Sequence, residues 1–157
     1  MNKKKLIAAC FIIQLFLNAA FVYAQENSES AEIKKVMDNF LGCIPFKDLD
    51  CIMRQVSPDY SDKTGGVEVD YARFKANQAA MIERSSKKYI DISFSDVNIS
   101  NLIIKDDKAA LELNLTEKAY NTDTFKTETT AKRISVALEK KEGVWKVTKF
   151  RRVIISK

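Results

Sequence analysis

The spacing of apolar residues divides the chain into two parts. Up to about residue 82 the spacing is helical. Ile33, Val36, Met37, Phe40 and Leu41 recur at i, i+3, i+4, i+7 and i+8, which puts them on one face of a helix. Ser30 is placed to cap that helix, and Glu29 and Glu32 carry the sign that a helix N-terminus favours. Gly42 can take the left-handed conformation that ends it, and Pro45 forbids its continuation. Asp48 caps a second, short helix with Leu49, Ile52, Met53 and Val56 on one side, stopped at Ser57-Pro58. Asp59 to Val69 reads as the chief loop, turning at Gly65-Gly66. Asp70 then caps a third helix, with Tyr71, Phe74, Gln78, Met81 and Ile82 on a mixed face that fades near Ser85-Ser86.

Beyond Lys88 the period changes to two. Ile90, Ile92 and Phe94 share a parity, Val97 and Ile99 take the opposite one, and the phase slips again before Leu102 and Ile104. Such slips mark a bulge or a bend in one long strand. The turn Lys105-Asp106-Asp107-Lys108 leads into the alternating row Leu111, Leu113, Leu115. Asn121-Thr122-Asp123 turns the chain into a strand over Thr124 to Leu138, apolar only at its far end, and Glu142-Gly143 turns into a last strand. The order predicts an α+β fold: three N-terminal helices packed on a curved four-stranded antiparallel sheet. An antiparallel sheet commonly wets one face, so the helices cover the other, lined by the Leu111 row, Trp145 and Val147.

The first 30 residues change the accounting. Three lysines precede an apolar run from Leu6 to Tyr23, and Val22-Tyr23-Ala24 offers small residues around a cleavage point before a polar stretch. This is the layout of a secretory signal peptide cleaved after Ala24, followed by a short linker over 25–29 and one domain over 30–157. An uncleaved anchor is the alternative, but Gln14 and Asn18 interrupt the run. Cys10 follows a lipobox-like Ile7-Ala8-Ala9, yet it sits in mid-run with much of the apolar segment downstream. Cleavage removes three lysines and no acids, so the formal net charge falls from +5 to +2. The remaining charges are interspersed, with no basic run interleaved with aromatics, which argues against nucleic acid as a partner. The expected location is the periplasm or the exterior, with no stable membrane anchor after cleavage.

Cys43 and Cys51 are then the two cysteines of the exported chain, eight positions apart. That spacing is too wide for a Cys-x-x-Cys redox motif, and the sequence has no histidine to complete a zinc site. An even count in an exported chain favours a disulfide; two buried free thiols are the alternative. No cofactor and no metal site is expected.

A helix, the "KDLDCI" helix start, a Pro-Asp-Tyr loop, another helix and four long strands ending in "GVWKV" together resemble the nuclear transport factor 2-like superfamily, over about Ser30 to Ile155. The resemblance implies a cone-shaped fold, shared with ketosteroid isomerases and SnoaL-type cyclases, with a pocket at the open end and often a dimer. Enzymes of this kind place Asp, Tyr or His in that pocket. Histidine is absent here. Asp62, followed by Gly65, resembles the isomerase base, but the position matching the family's first-helix tyrosine is Phe40, which has no hydroxyl to donate.

Asp62 is thus the catalytic candidate, against the alternative of a solvated loop carboxylate. Tyr60, Tyr71, Trp145, Lys149 and Arg151 are the pocket candidates. Lys149 and Arg151 share parity with Trp145 and Val147, so a regular strand carries them to the pocket mouth, where they attract an anion; a bulge would turn them outward. The leading expectation is an exported, non-catalytic binding module for a small ligand or a protein partner. The alternatives are a lyase or isomerase with Asp62 as a lone base, and a structural subunit that assembles as a homodimer.

Overall fold

The computed structural model describes residues 28–153 apart from Gly65. The expected leader, its cleavage point and residues 25–27 of the linker lie outside the described residues. Helix α1 occupies 28–43, so Ser30 and the last two linker residues are helical rather than a cap and a tether. The cause is tertiary: Glu29 and Glu32 both reach Lys140 in the sheet, at 3.4 and 3.5 Å, and hold the first turns in place. Gly42 also stays within α1, and the left-handed residue is Lys47 at φ 56°. Helix α2, Leu49–Arg54, is capped as its sequence requires, with the Asp48 carboxylate accepting from the Cys51 N–H at 2.9 Å. A disulfide joins Cys43 at the end of α1 to Cys51 in the first turn of α2, with Cα atoms 5.6 Å apart, within the usual range.

The stretch expected as a loop is a hairpin. Strands β1, Ser61–Thr64, and β2, Val67–Asp70, pair antiparallel around Gly66, which sits at φ 82°. Its alternation is hard to see because the inward position of β1 is Asp62, buried opposite Val69. Helix α3, Tyr71–Lys88, is capped by Asp70 and runs past Ser85-Ser86 to the point where Tyr89 becomes extended.

The main sheet has the order β3-β4-β5-β6, from β3 (Tyr89–Lys105), β4 (Lys108–Asn121), β5 (Lys126–Lys141) and β6 (Val144–Val153). β5 thus begins two residues later than expected, since Phe125 takes a left-handed turn conformation at φ 56°. β4 and β5 pair without a slip from Lys108↔Glu139 to Asn121↔Lys126. β3 slips three times against β4, at Ile90/Ser93, Ser95/Asn98 and Ser100/Ile103. β6 slips once, because Leu138 faces Val147 while Ala137 faces Lys149. The extra residue, Thr148, inverts the parity of the rest of the strand: Trp145 and Val147 point inward, then Phe150 does, and Lys149 and Arg151 turn outward. Strict alternation would have carried both cations toward the interior.

The core lies between α1, α2, α3 and the inner sheet face. Ile33, Met37 and Phe40 meet Leu111, Leu113, Val136, Leu138 and Val147, all essentially closed to water. Two aromatic pairs complete it, Phe40 with Phe150 at 5.0 Å between ring centroids and Tyr60 with Phe74 at 4.4 Å. Geometries of this kind are favoured between aromatic rings. The segment that leaves α2 is tied to β6 by backbone bonds, Ser57 N–H to Val147 O at 2.8 Å and Val147 N–H to Gln55 O at 2.9 Å.

Candidate functional site

The inward alternation of β4 and β5 continues beyond the core and changes character. On β4 the row Leu111, Leu113, Leu115 becomes Glu117, Ala119, Asn121; on β5 the row Leu138, Val136, Ile134 becomes Lys132, Thr130, Glu128. The polar ends of these rows, the second half of α3 and the start of β3 enclose a cleft of about 290 Å³. Met81, Ile44 and Ile92 supply its apolar wall.

Fixed hydrogen bonds hold its polar wall. Asn121 is buried and accepts at Oδ1 from the Asp123 and Thr124 N–H groups, at 2.9 and 3.3 Å, which aims its Nδ2 at Glu128 Oε1. The Tyr89 hydroxyl donates to Glu128 Oε2 at 3.0 Å. Tyr89 stands where α3 passes into β3, and its position is secured from two sides: Lys47 Nζ donates to its carbonyl at 2.8 Å, and the Thr122 N–H donates to the Lys88 carbonyl at 2.9 Å. The two donors, Asn121 first and Tyr89 second, hold the Glu128 carboxyl below its ordinary pKa, with the charge of Lys88 adding to the effect. Glu117 is paired with Lys132 at 2.5 Å, both partly buried. Each carboxylate of the cleft therefore already has its donors.

The residues singled out from the sequence group elsewhere, around the β1–β2 hairpin. Asp62 is buried in β1; its Oδ1 accepts from the Lys63 N–H at 2.8 Å and from Arg151 Nη2 at 2.5 Å. Arg151 Nη2 also donates to the Lys63 carbonyl at 3.0 Å. Lys149 stands beside Arg151 on the outer side of β6 and shares with it an open depression over the hairpin. Tyr60 lies in the core just inside. Burial, and then the charge of Asp62, push its phenol pKa up to about 12, against an opposing pull from the Phe150 backbone and Arg151. Tyr71 is half-buried and packs against the core from the first turn of α3. Trp145 is fully buried under a shallow depression between α1 and the β5–β6 turn, with Lys140 Nζ 5.8 Å from its ring centroid. The structure thus brings together Tyr60, Asp62, Lys149 and Arg151, and leaves Tyr71 and Trp145 apart from them.

Glu117, Glu128, Lys132 and Tyr89 are absent from the sequence-based set. For the three charged residues the signal was present: carrying the inward parity of Leu115 and Ile134 two to six residues further marks Glu117, Lys132, Thr130 and Glu128 as residues of the same sheet face.

No protein-family model matches the chain, and no curated protein matches its sequence. Solved structures do match. A nuclear transport factor 2-like superfamily protein from Salmonella enterica serovar Typhimurium superposes with a TM-score of 0.65 at 17% identity, over 81% of this chain and 91% of its own. A protein from Thiobacillus denitrificans, named as a candidate calcium/calmodulin-dependent protein kinase type II association domain, gives 0.64 at 11% identity, over 78% and 94%. A candidate scytalone dehydratase from Novosphingobium aromaticivorans gives 0.63 at 12% identity, over 81% and 85%.

Proposed function

The chain has the nuclear transport factor 2-like fold, and from that premise we propose that it is an exported, non-catalytic binding module whose cleft between α3 and the polar ends of β4 and β5 takes a small molecule. The ligand has an apolar body, to meet Met81, Ile44 and Ile92, and a hydrogen-bonding group, to meet Glu128 and its neighbours. The observation that carries this reading is the state of the acids. A general base at neutral pH needs a pKa near the working pH. Glu128 is moved the other way by Asn121 and Tyr89, Glu117 is engaged by Lys132, and Asp62 is engaged by Arg151. At the position that matches the isomerases' first-helix tyrosine in sequence stands Phe40, which has no hydroxyl and packs against Phe150 with ring centroids 5.0 Å apart. Carboxylates already held by their own donors serve recognition better than proton transfer. Export accounts for the Cys43–Cys51 disulfide and for the leader-like start of the chain.

Ligand-observed magnetic resonance on a library of small amphiphilic molecules tests this. Hits are expected that lose about tenfold in affinity in Glu128→Gln, the size of one charge-assisted hydrogen bond, and that fail to bind Met81→Lys, which blocks the cleft from an exposed position. Each hit should be recovered chemically unchanged. Hits indifferent to both substitutions would remove the cleft from the proposal, and conversion of a hit that stops in Asp62→Asn would make the chain an enzyme.

A further inference from the structure

Among the described residues Asp62 is the one charged side chain that is buried. An ionised carboxylate leaves water only against compensation. Here the compensation is one-sided: Oδ1 receives Arg151 and the Lys63 N–H, while Oδ2 is buried without a donor. Arginine–carboxylate pairs are often two-pronged, consuming both N–H groups on one edge of the guanidinium. In this pair a single nitrogen, Nη2, makes both protein contacts, to Asp62 and to the Lys63 carbonyl. The guanidinium is thereby fixed at one corner, with just over half of the side chain (54%) exposed.

The surroundings add like charge. Lys149 precedes Arg151 by two residues on the same outer face of β6, and Lys63 lies across on β1, around a depression of about 490 Å³ that Glu68 also borders. A clamp between hairpin and sheet needs the Arg151–Asp62 pair alone. Three cations, Lys63, Lys149 and Arg151, thus face two carboxylates, Asp62 and Glu68, and the excess of positive charge left around the depression favours an anion.

We infer that Arg151 and Lys149 form a binding site for a small oxyanion, a carboxylate or phosphate group, and that Asp62 is the positioning residue that presents the guanidinium to it. The planar fork of arginine matches both groups, and the lysine contributes a mobile point charge.

The test is a titration of the isotope-labelled protein with sodium phosphate and, separately, sodium acetate, at ionic strength held constant by chloride. Saturable shifts are expected at the Arg151 Nε–H and at the backbone amides of Ser61, Lys63, Lys149 and Arg151, with none in the chloride arm; the two anion arms identify the preferred group. Arg151→Lys keeps the charge but loses the fork, and weakens binding about tenfold. Lys149→Ala, at an exposed side chain with no structural partner among the described residues, weakens it less and leaves the unfolding midpoint unchanged. Asp62→Asn separates positioning from charge. Loss of a neighbouring negative charge alone would tighten anion binding, whereas loss of positioning weakens it, and weakening is the expected result. Linear shifts in all three salts, or wild-type affinity in both Arg151→Lys and Lys149→Ala, would overturn the site; tighter binding in Asp62→Asn would overturn the role given to Asp62.

Discussion

Tyr60 and Asp62, two positions apart, show how a single burial event redirects chemistry. In a solvated loop Asp62 would be an ordinary carboxylate. In β1 it is closed to water, draws Arg151 across from β6, and places its charge near the phenol of Tyr60. The phenol therefore keeps its proton well beyond the range where free tyrosine ionises. The consequence for stability has a definite sign. The folded pKa, about 12, lies above the ordinary value of 10.0, so between those values the folded state holds a proton that the unfolded chain has released. The associated stability is complete below the unfolded pKa and is lost as pH rises through the folded one. Denaturant midpoints for the wild type and Tyr60→Phe, compared at about pH 9 and about pH 11, are expected to differ by a gap that moves in favour of the variant at the higher pH. A gap that does not change with pH would contradict the burial of this hydroxyl.

At the scale of elements, β3 carries a regular device. Asp91, Asp96 and Asn101 stand five residues apart, each with φ between 51° and 54°, and each coincides with one of the three register slips against β4. Asp and Asn tolerate the left-handed region better than other non-glycine residues. Three bulges bend the strand and increase its twist, which lets the sheet curl over the helices, and they break the edge that β3 would otherwise offer to another chain. All three are exposed, but Asp96 bonds to Ser95 and Asn101 to Glu112, so Asp91 makes the sharper test. Asp91→Val is expected to cost about 1–2 kcal/mol in chemical denaturation, the penalty of a side chain in the left-handed region, while Asp91→Gly is neutral or stabilising. Equal effects of the two would mean that the bulge is not held by its conformation. The Cys43–Cys51 bridge acts at the same scale: it pins the α1–α2 corner, and a closed loop this short is worth roughly 2–3 kcal/mol on the chain-entropy model.

For the molecule as a whole, the decisive feature is where space remains. Phe40, Phe150, Tyr60 and Phe74 pack in the core between helices and sheet, and the cleft lies where the inner rows of β4 and β5 turn polar. Bulky rings in a close-packed interior leave no room for a ligand, whereas paired charges at strand ends keep a wet cavity open. The proposed export also belongs to this scale. The intact mass of the protein recovered from cells is expected to begin at Gln25 and to rise only after reduction and alkylation. A mass retaining the first 24 residues, or two thiols alkylated without reductant, would contradict the exported, bridged form.

Much of the architecture was legible from local rules. Asp48 and Asp70 announced their helices through capping, the Leu111 row announced the core strand through its period of two, and two of the three bulges in β3 showed as changes of parity. The first bulge was hidden because Ile90 and Ile92 place an apolar side chain on either side of Asp91. These features depend on neighbours a few residues away, so sequence by itself determined them. The start of α1, the β1–β2 hairpin, the outward turn of Lys149 and Arg151 and the closing of a cleft around the polar ends of the β4 and β5 rows were decided by tertiary structure. Each depends on partners distant along the chain, by as many as 111 residues: Glu29 on Lys140, Asp62 on Arg151, Ala137 on Lys149 across a bulge, and Glu128 on Tyr89. Burial and charge pairing at such separations are set by which faces meet when the sheet closes over the helices, and no local periodicity encodes that meeting.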